Sequence, residues 1–290
     1  MISAYFIHLL ILIGIYFILA LSLQFAIGFA GLLNLGHIAF FAVGAYVSAL
    51  FSLHGVPFWI CFLSAGIISM LFGFLIAFPT NKLKGDYLAL STLAFTFVVY
   101  AIALNWTSLT RGPLGLPGIP NPSFFGFSFS SNLSFLLLVF IVCAITYFFI
   151  KRVIKSPFGK VLEAIRDDEL AVKVLGKNTF KMKFYVLGIS AFFAGIAGSL
   201  YAHYITYIDP SSFTLLQLIP ILTIVIIGGL ASINGTLIAT IIIVLLPEPL
   251  RFIGFPSSVI GPMRQIIYAV LLLIILLFKP RGIDGRVELE

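Results

Sequence analysis

Nine apolar runs limit what this chain can become: 4–27, 37–53, 57–79, 87–106, 132–150, 184–206, 213–230, 234–253 and 260–278. Each is close to the ~20 residues that carry a helix across a hydrocarbon layer. Inside that layer a backbone must satisfy its own polar groups, so such runs are read as helices. Of the 290 residues only 9% are charged, against 61% hydrophobic. Soluble domains carry about 25% charged residues, so this chain lacks the groups to cover a soluble surface. Disorder is excluded too, because disordered chains are poor in aromatics and this one has 31 Phe. The sequence therefore predicts an all-α polytopic membrane protein, one domain over 1–290, with about 8–10 transmembrane helices.

The net charge of +7 does not point to nucleic acid. The basic residues sit between apolar runs, where they set orientation. Segments 80–86, 151–183 and 279–290 hold two, nine and three of the 17. Placing these in the cytoplasm puts the N-terminus outside and the C-terminus inside after nine crossings. No Lys or Arg precedes Lys82, so the first run is expected to be a retained span rather than a cleaved leader. The stretch 107–131, rich in Gly, Pro and Ser, becomes an external loop. The short run 213–230 and the glycine-broken segment 28–36 leave the exact count open.

Segment 151–183 also holds four of the ten acidic residues. Ser156-Pro157 is an N-cap followed by proline at the first helical position. Phe158, Val161, Leu162 and Ile165 follow helical spacing and form one apolar stripe. Asp167 or Asp168 can cap a second short helix, with Ala171, Val174 and Leu175 on one face and Gly176 as its stop. Glu163 with Arg166, and Glu169 with Lys173, are favourably spaced ion pairs. Three roles fit such a helical pair: a solvated connector, a helix lying on the membrane, or a docking element for a cytoplasmic partner.

Chemistry-bearing residues are sparse. Cys61 and Cys143 lie singly in apolar runs and read as buried hydrophobes. No metal-spaced cluster, catalytic set or cofactor motif is evident. The buried acidic relay that proton-coupled carriers need is missing. Glu248 is expected to pair with Arg251, and His8 and His203 to lie near span ends as interfacial side chains. The Gly-interrupted segments 28–36 and 228–235 fall in opposite halves of the chain. They place Asn34, His37, Gly228, Gly229 and Asn234 as candidates for a translocation path. Close helix packing explains such glycines equally well, as small residues do at Ala191, Ala194, Gly195, Ala197 and Gly198.

Glu163-Ala164-Ile165-Arg166-Asp167-Asp168-Glu169-Leu170-Ala171, ending at Leu175-Gly176, resembles the coupling loop of ABC importer permeases. More narrowly, the chain resembles the branched-chain amino acid permease family of the LivM type. Gly31-Leu32-Leu33-Asn34-Leu35-Gly36-His37, Leu83-Lys84-Gly85-Asp86-Tyr87-Leu88-Ala89, Asn105-Trp106-Thr107-Ser108-Leu109-Thr110, Ser190-Ala191-Phe192-Phe193-Ala194-Gly195 and Phe278-Lys279-Pro280-Arg281-Gly282 follow the family in order. The family usually has Ser at 34, and often Asn at 114, Gly at 231 and Pro at 236. Here Asn34, Leu114, Ala231 and Thr236 stand instead.

The resemblance implies an importer subunit in the cytoplasmic (inner) membrane for branched-chain or similar hydrophobic amino acids. It implies coupling to an ATPase through Glu163, Ala164, Arg166, Asp167, Glu169, Ala171 and Gly176. The implied partners are a homologous second permease subunit, two cytoplasmic ATPase subunits, an external solute-binding protein and the lipid membrane. The chain has no GxxxxGK[ST] cradle of its own, so ATP hydrolysis is expected on another chain. The contrasting reading is a self-sufficient secondary transporter of small amino-acid-like solutes.

Overall fold

A computed structural model describes residues 2–80, 83, 85–124, 127–129, 131–249, 257–279 and 281–285. Helices dominate in the order α1 (Ile2–Gln24), a π-helical turn (Phe25–Phe29), α2 (His37–Leu53), α3 (Phe58–Thr80), α4 (Asp86–Asn105) and the one-turn α5 (Thr107–Thr110). Then follow α6 (Asn132–Lys155), α7 (Pro157–Asp167), α8 (Glu169–Val174), α9 (Thr179–Ile205), α10 (Leu218–Gly228), α11 (Ile233–Leu245) and α12 (Ser257–Phe278). Among the described residues six helices are long and apolar enough to cross a membrane, and three shorter apolar ones accompany them. The expected all-α polytopic fold is the observed one.

The runs at 213–230 and 234–253 are shorter as helices than as apolar segments. Leu218–Gly228 and Ile233–Leu245 are separated by a break at 229–232. Likewise α1 does not stop at 27 but widens into the π turn, and irregular chain at 31–34 leads towards α2. At the other end α6 runs on to Lys155, and α9 begins at Thr179, which trims the charged loop expected at 151–183.

Burial sorts the helices. Most of the apolar stretch of α9 is buried, and over half of the α1 stretch, whereas no residue of the α12 stretch is fully buried. The centre depends on small residues. A Cβ on Gly195 would lie 2.3 Å from Ser69 Oγ, and one on Gly198 would lie 2.1 Å from the Phe41 carbonyl oxygen. Such close approach gives dispersion contact and room for interhelical hydrogen bonds, which hold membrane helices together where lipid removes the hydrophobic drive. Ser69 Oγ donates to Phe40 O, and Ser190 Oγ to Ser22 O.

The end of the bundle that holds residues 107–131 is closed by loops. β1 (Leu116–Pro117) pairs antiparallel with β4 (Tyr207–Ile208), so this loop is tied to the segment after α9. A second antiparallel pair joins β2 (Ser123–Phe124) to β3 (Phe127–Ser128). His203 is not interfacial as expected. It is 1% exposed, bonded through Nε2 to Ser48 and through Nδ1 to the Pro120 carbonyl. His8 meets the Tyr204 hydroxyl at 2.6 Å. The expected Glu248–Arg251 pair falls outside the described residues at Arg251; among the described residues Glu248 accepts from Tyr5 and lies 4.0 Å from Arg264. Cys61 and Cys143 are free thiols that donate to the carbonyls of Val56 and Gly14.

Candidate functional site

The end of the bundle that holds α7 and α8 is built from the loop upward. Ser156 caps α7 by accepting from Gly159 N, and Pro157 follows at the first position, where a missing N–H has no consequence. Asp168, one of the two expected caps, accepts from Leu170 N at 2.8 Å and Ala171 N at 3.1 Å. Gly176 ends α8 at φ +76°, its N–H donating to Lys173 O while Lys177 N–H reaches Val172 O. That left-handed stop is where glycine avoids a Cβ penalty.

The apolar stripe of α7 turns inward: Leu162 and Ile165 are buried against the protein's own body. The face expected on α8, with Ala171, Val174 and Leu175, turns outward. Val172 is buried, whereas Leu170, Val174 and Leu175 are exposed by 62%, 87% and 78%. Ala164, Asp167, Ala171 and Gly176 are exposed around them, and Glu163 is half-buried.

Charge fixes the pair in place. Glu169 meets Lys173 at 3.0 Å as expected, and also Lys183 at 2.7 Å and Thr179 Oγ1 at 3.1 Å. Burial alone would raise its carboxyl pKa. The hydrogen bonds from Lys183, Lys173 and Thr179 outweigh it and hold the pKa near about 2. Arg166 does not pair with Glu163. It binds Asp167 at 2.9 Å and donates Nη1–H to the Gly28 carbonyl at 2.9 Å. Gly31, at φ +67°, makes room, since a Cβ there would lie 2.9 Å from Arg166 Cγ.

Gly28 leads to the second break. A Cβ on it would lie 2.6 Å from Ala231 N. Gln24, fully buried, donates Nε2–H to Gly229 O at 2.7 Å and Ser232 O at 3.3 Å. The tail closes the cluster from below. Ile283 N–H donates to Ile227 O, Asp284 N–H to Gly228 O, and Ser232 Oγ–H to Asp284 Oδ2 at 2.6 Å. Ser232 Oγ also accepts from Gly235 N and so caps α11. The α7–α8 loop, π turn, broken helix and tail thus form one hydrogen-bonded chain.

The candidate path residues separate. Gly228 and Gly229 belong to this cluster. Asn34 and His37 are fully buried in another, where Asn34 Oδ1 accepts from Gly36 N and His37 Nε2 faces Ser22 Oγ and Leu19 O. A carbonyl only accepts, so Nε2 carries the proton. Among the described residues His37 Nδ1 and Asn34 Nδ2 have no hydrogen-bond partner. Asn234 is exposed and faces Tyr147. Gln24, Ser232 and Asp284 were missed by the sequence reading. A lone amide in an apolar run was the available signal for Gln24.

These features define a polytopic membrane protein with a rigid loop wired to broken helices. The family model described as "Branched-chain amino acid transport system / permease component" matches residues 5–276, and the chain belongs to that family of transport permeases. It is 35% identical over 294 residues to the high-affinity branched-chain amino acid permease LivM of Salmonella typhimurium, covering 93% of this chain and 67% of that one. It is 26% identical to a probable LivM of Methanocaldococcus jannaschii, covering 95% and 92%. The guanosine permease NupQ of Bacillus subtilis is 24% identical, over 60% and 59% of the two chains. No solved structure is a significant match.

Proposed function

We propose that this chain is a membrane subunit of an ATP-driven importer for branched-chain or similar hydrophobic amino acids. The observation that carries this reading is the α7–α8 pair. It is anchored inward by Leu162, Ile165 and Arg166, and presents Leu170, Val174 and Leu175 to solvent within a charged rim. An apolar knob on a rigid, charged mount fits a groove on a partner. The reading makes that partner a cytoplasmic ATPase, two copies of which serve this chain and a homologous permease. An external binding protein delivers the solute.

In this orientation the N-terminus is outside and the C-terminal tail is cytoplasmic. Closure of the ATPases moves α7 and α8, and Arg166 passes the movement to Gly28 and on to the break at 229–232. The relatives span amino acid and nucleoside carriers, so the solute is assigned from the more similar of them.

Reconstitution of this chain with a homologous permease, candidate ATPases and a binding protein tests the proposal. Leucine is expected to stimulate ATP hydrolysis and uptake together. Uptake by this chain alone on an ion gradient would overturn it in favour of a secondary carrier.

A further inference from the structure

An apolar groove of about 800 Å³ runs down the outer face between α1 and α6, with Gly14 and Ala144 on its floor and Leu10, Leu137, Phe140 and Phe148 among its walls. Its walls are large side chains: Leu137, Phe140 and Phe148 are exposed by 58%, 72% and 65%. Interfaces between membrane helices are instead rich in small residues that let backbones meet, as α9 uses. From Leu133 to Phe148 the groove follows α6 for about 22 Å at 1.5 Å per residue. That exceeds the ~15 Å depth of one leaflet.

At the loop end the groove meets a second hollow of about 530 Å³, which shares Phe148 and is otherwise lined by Lys151, Arg152, Lys155 and Ser156. Three cations one turn or less apart stand where the helix leaves the apolar layer. Lys151 Nζ is held 3.2 Å from the Tyr147 hydroxyl and 5.0 Å from the centre of its ring. Among the described residues none of the three cations has an ion-pair partner. The nearby carboxylate of Asp284, which shares an adjoining hollow with Lys151 and Lys155, is bound by Ser232.

We propose that groove and cluster together bind one anionic phospholipid. An acyl chain lies along Phe140 and Phe148, and the headgroup phosphate sits among Lys151, Arg152 and Lys155. A zwitterionic lipid fills the groove equally well but gains less from the cations. A positive hollow at the membrane surface thus selects for net negative charge. The site does not depend on the transport reading and survives its failure.

The test uses the full chain, purified from vesicles of equal phosphatidylglycerol and phosphatidylcholine. Co-purifying lipid is then quantified by mass spectrometry. Phosphatidylglycerol is expected to be enriched, and K151Q/R152Q/K155Q to lower its retention at least tenfold. K151R/K155R is expected to keep it, and K177Q/K181Q, at exposed lysines after α8 and at the start of α9, to leave it unchanged. Equal retention of both lipids, or equal loss from K177Q/K181Q, would overturn the site. Phe140→Cys bearing a photo-crosslinker gives an arm independent of the charge changes. Capture of lipid supports the proposal. Capture of a second polypeptide refutes it and makes the face a subunit interface.

Discussion

Ala231 holds φ +61°, a left-handed conformation, at the break between α10 and α11. For an L-residue that region costs roughly 1–2 kcal/mol, and the family often has Gly there. Ala231→Gly removes the Cβ penalty and returns part of the gain as unfolded-chain entropy. The expected net is about 0.5–1 kcal/mol of added stability, read as a rise of about 1–3 °C in the unfolding temperature of the solubilised protein. A fall in that temperature would mean that the methyl packs well enough to outweigh the strain. Glu169 gives a pH prediction from the same scale. Its folded pKa lies below the usual carboxylate range, so its contribution is fully present above that range. It is lost as pH falls towards about 2. Between pH 5 and 8 the brace is constant. Glu169→Gln leaves Lys183 buried without its countercharge, and amide exchange across 169–183 is expected to quicken about tenfold or more at every pH in that window. An unchanged exchange pattern would show that Val172 and the caps alone hold α8.

At the level of elements, the sequence was most legible where side chains talk to their own backbone. Ser156, Pro157, Asp168 and Gly176 mark the ends of α7 and α8 by local hydrogen bonding and φ, so their positions were readable. Which face turned inward was not. Leu170, Val172, Val174 and Leu175 offer two apolar faces on a helix of six residues, and only packing beneath α9 selects Val172. The choice matters for docking. Val174→Glu with Leu175→Glu leaves the buried stripe of α7 intact while placing two charges in the exposed knob. Membrane insertion and thermal stability are expected to stay within about 0.5 kcal/mol of the parent, as for surface changes generally. Co-purification of the ATPase is expected to fall at least tenfold. Normal assembly with both charges present would move the docking surface elsewhere.

For the whole molecule, the spans and their order followed from the bilayer's demand on length and backbone pairing, which any apolar run of ~20 residues reveals. The links between distant segments did not follow, because they are single contacts between residues far apart in the chain. Gln24 to Gly229, Arg166 to Gly28 and Ser232 to Asp284 leave no periodic trace. Yet these links join the loop to the interior. Arg166 hydrogen-bonds α7 to the π turn, and a hydrogen bond from a charged donor contributes about 1.5–3 kcal/mol. Arg166→Met keeps the aliphatic stem against Gly31 and removes the bond to the Gly28 carbonyl. If docking and transmission are separable, the assembled importer retains its ATPase subunits and much of its basal hydrolysis. Stimulation by leucine and the binding protein should then fall about tenfold, with uptake falling alongside. Arg166→Lys restores a charged donor without the fork that also holds Asp167, and is expected to recover part of the coupling. Loss of ATPase association in Arg166→Met would place the side chain in the docking surface itself, and full coupling without it would break the proposed route from α7 to the break at 229–232.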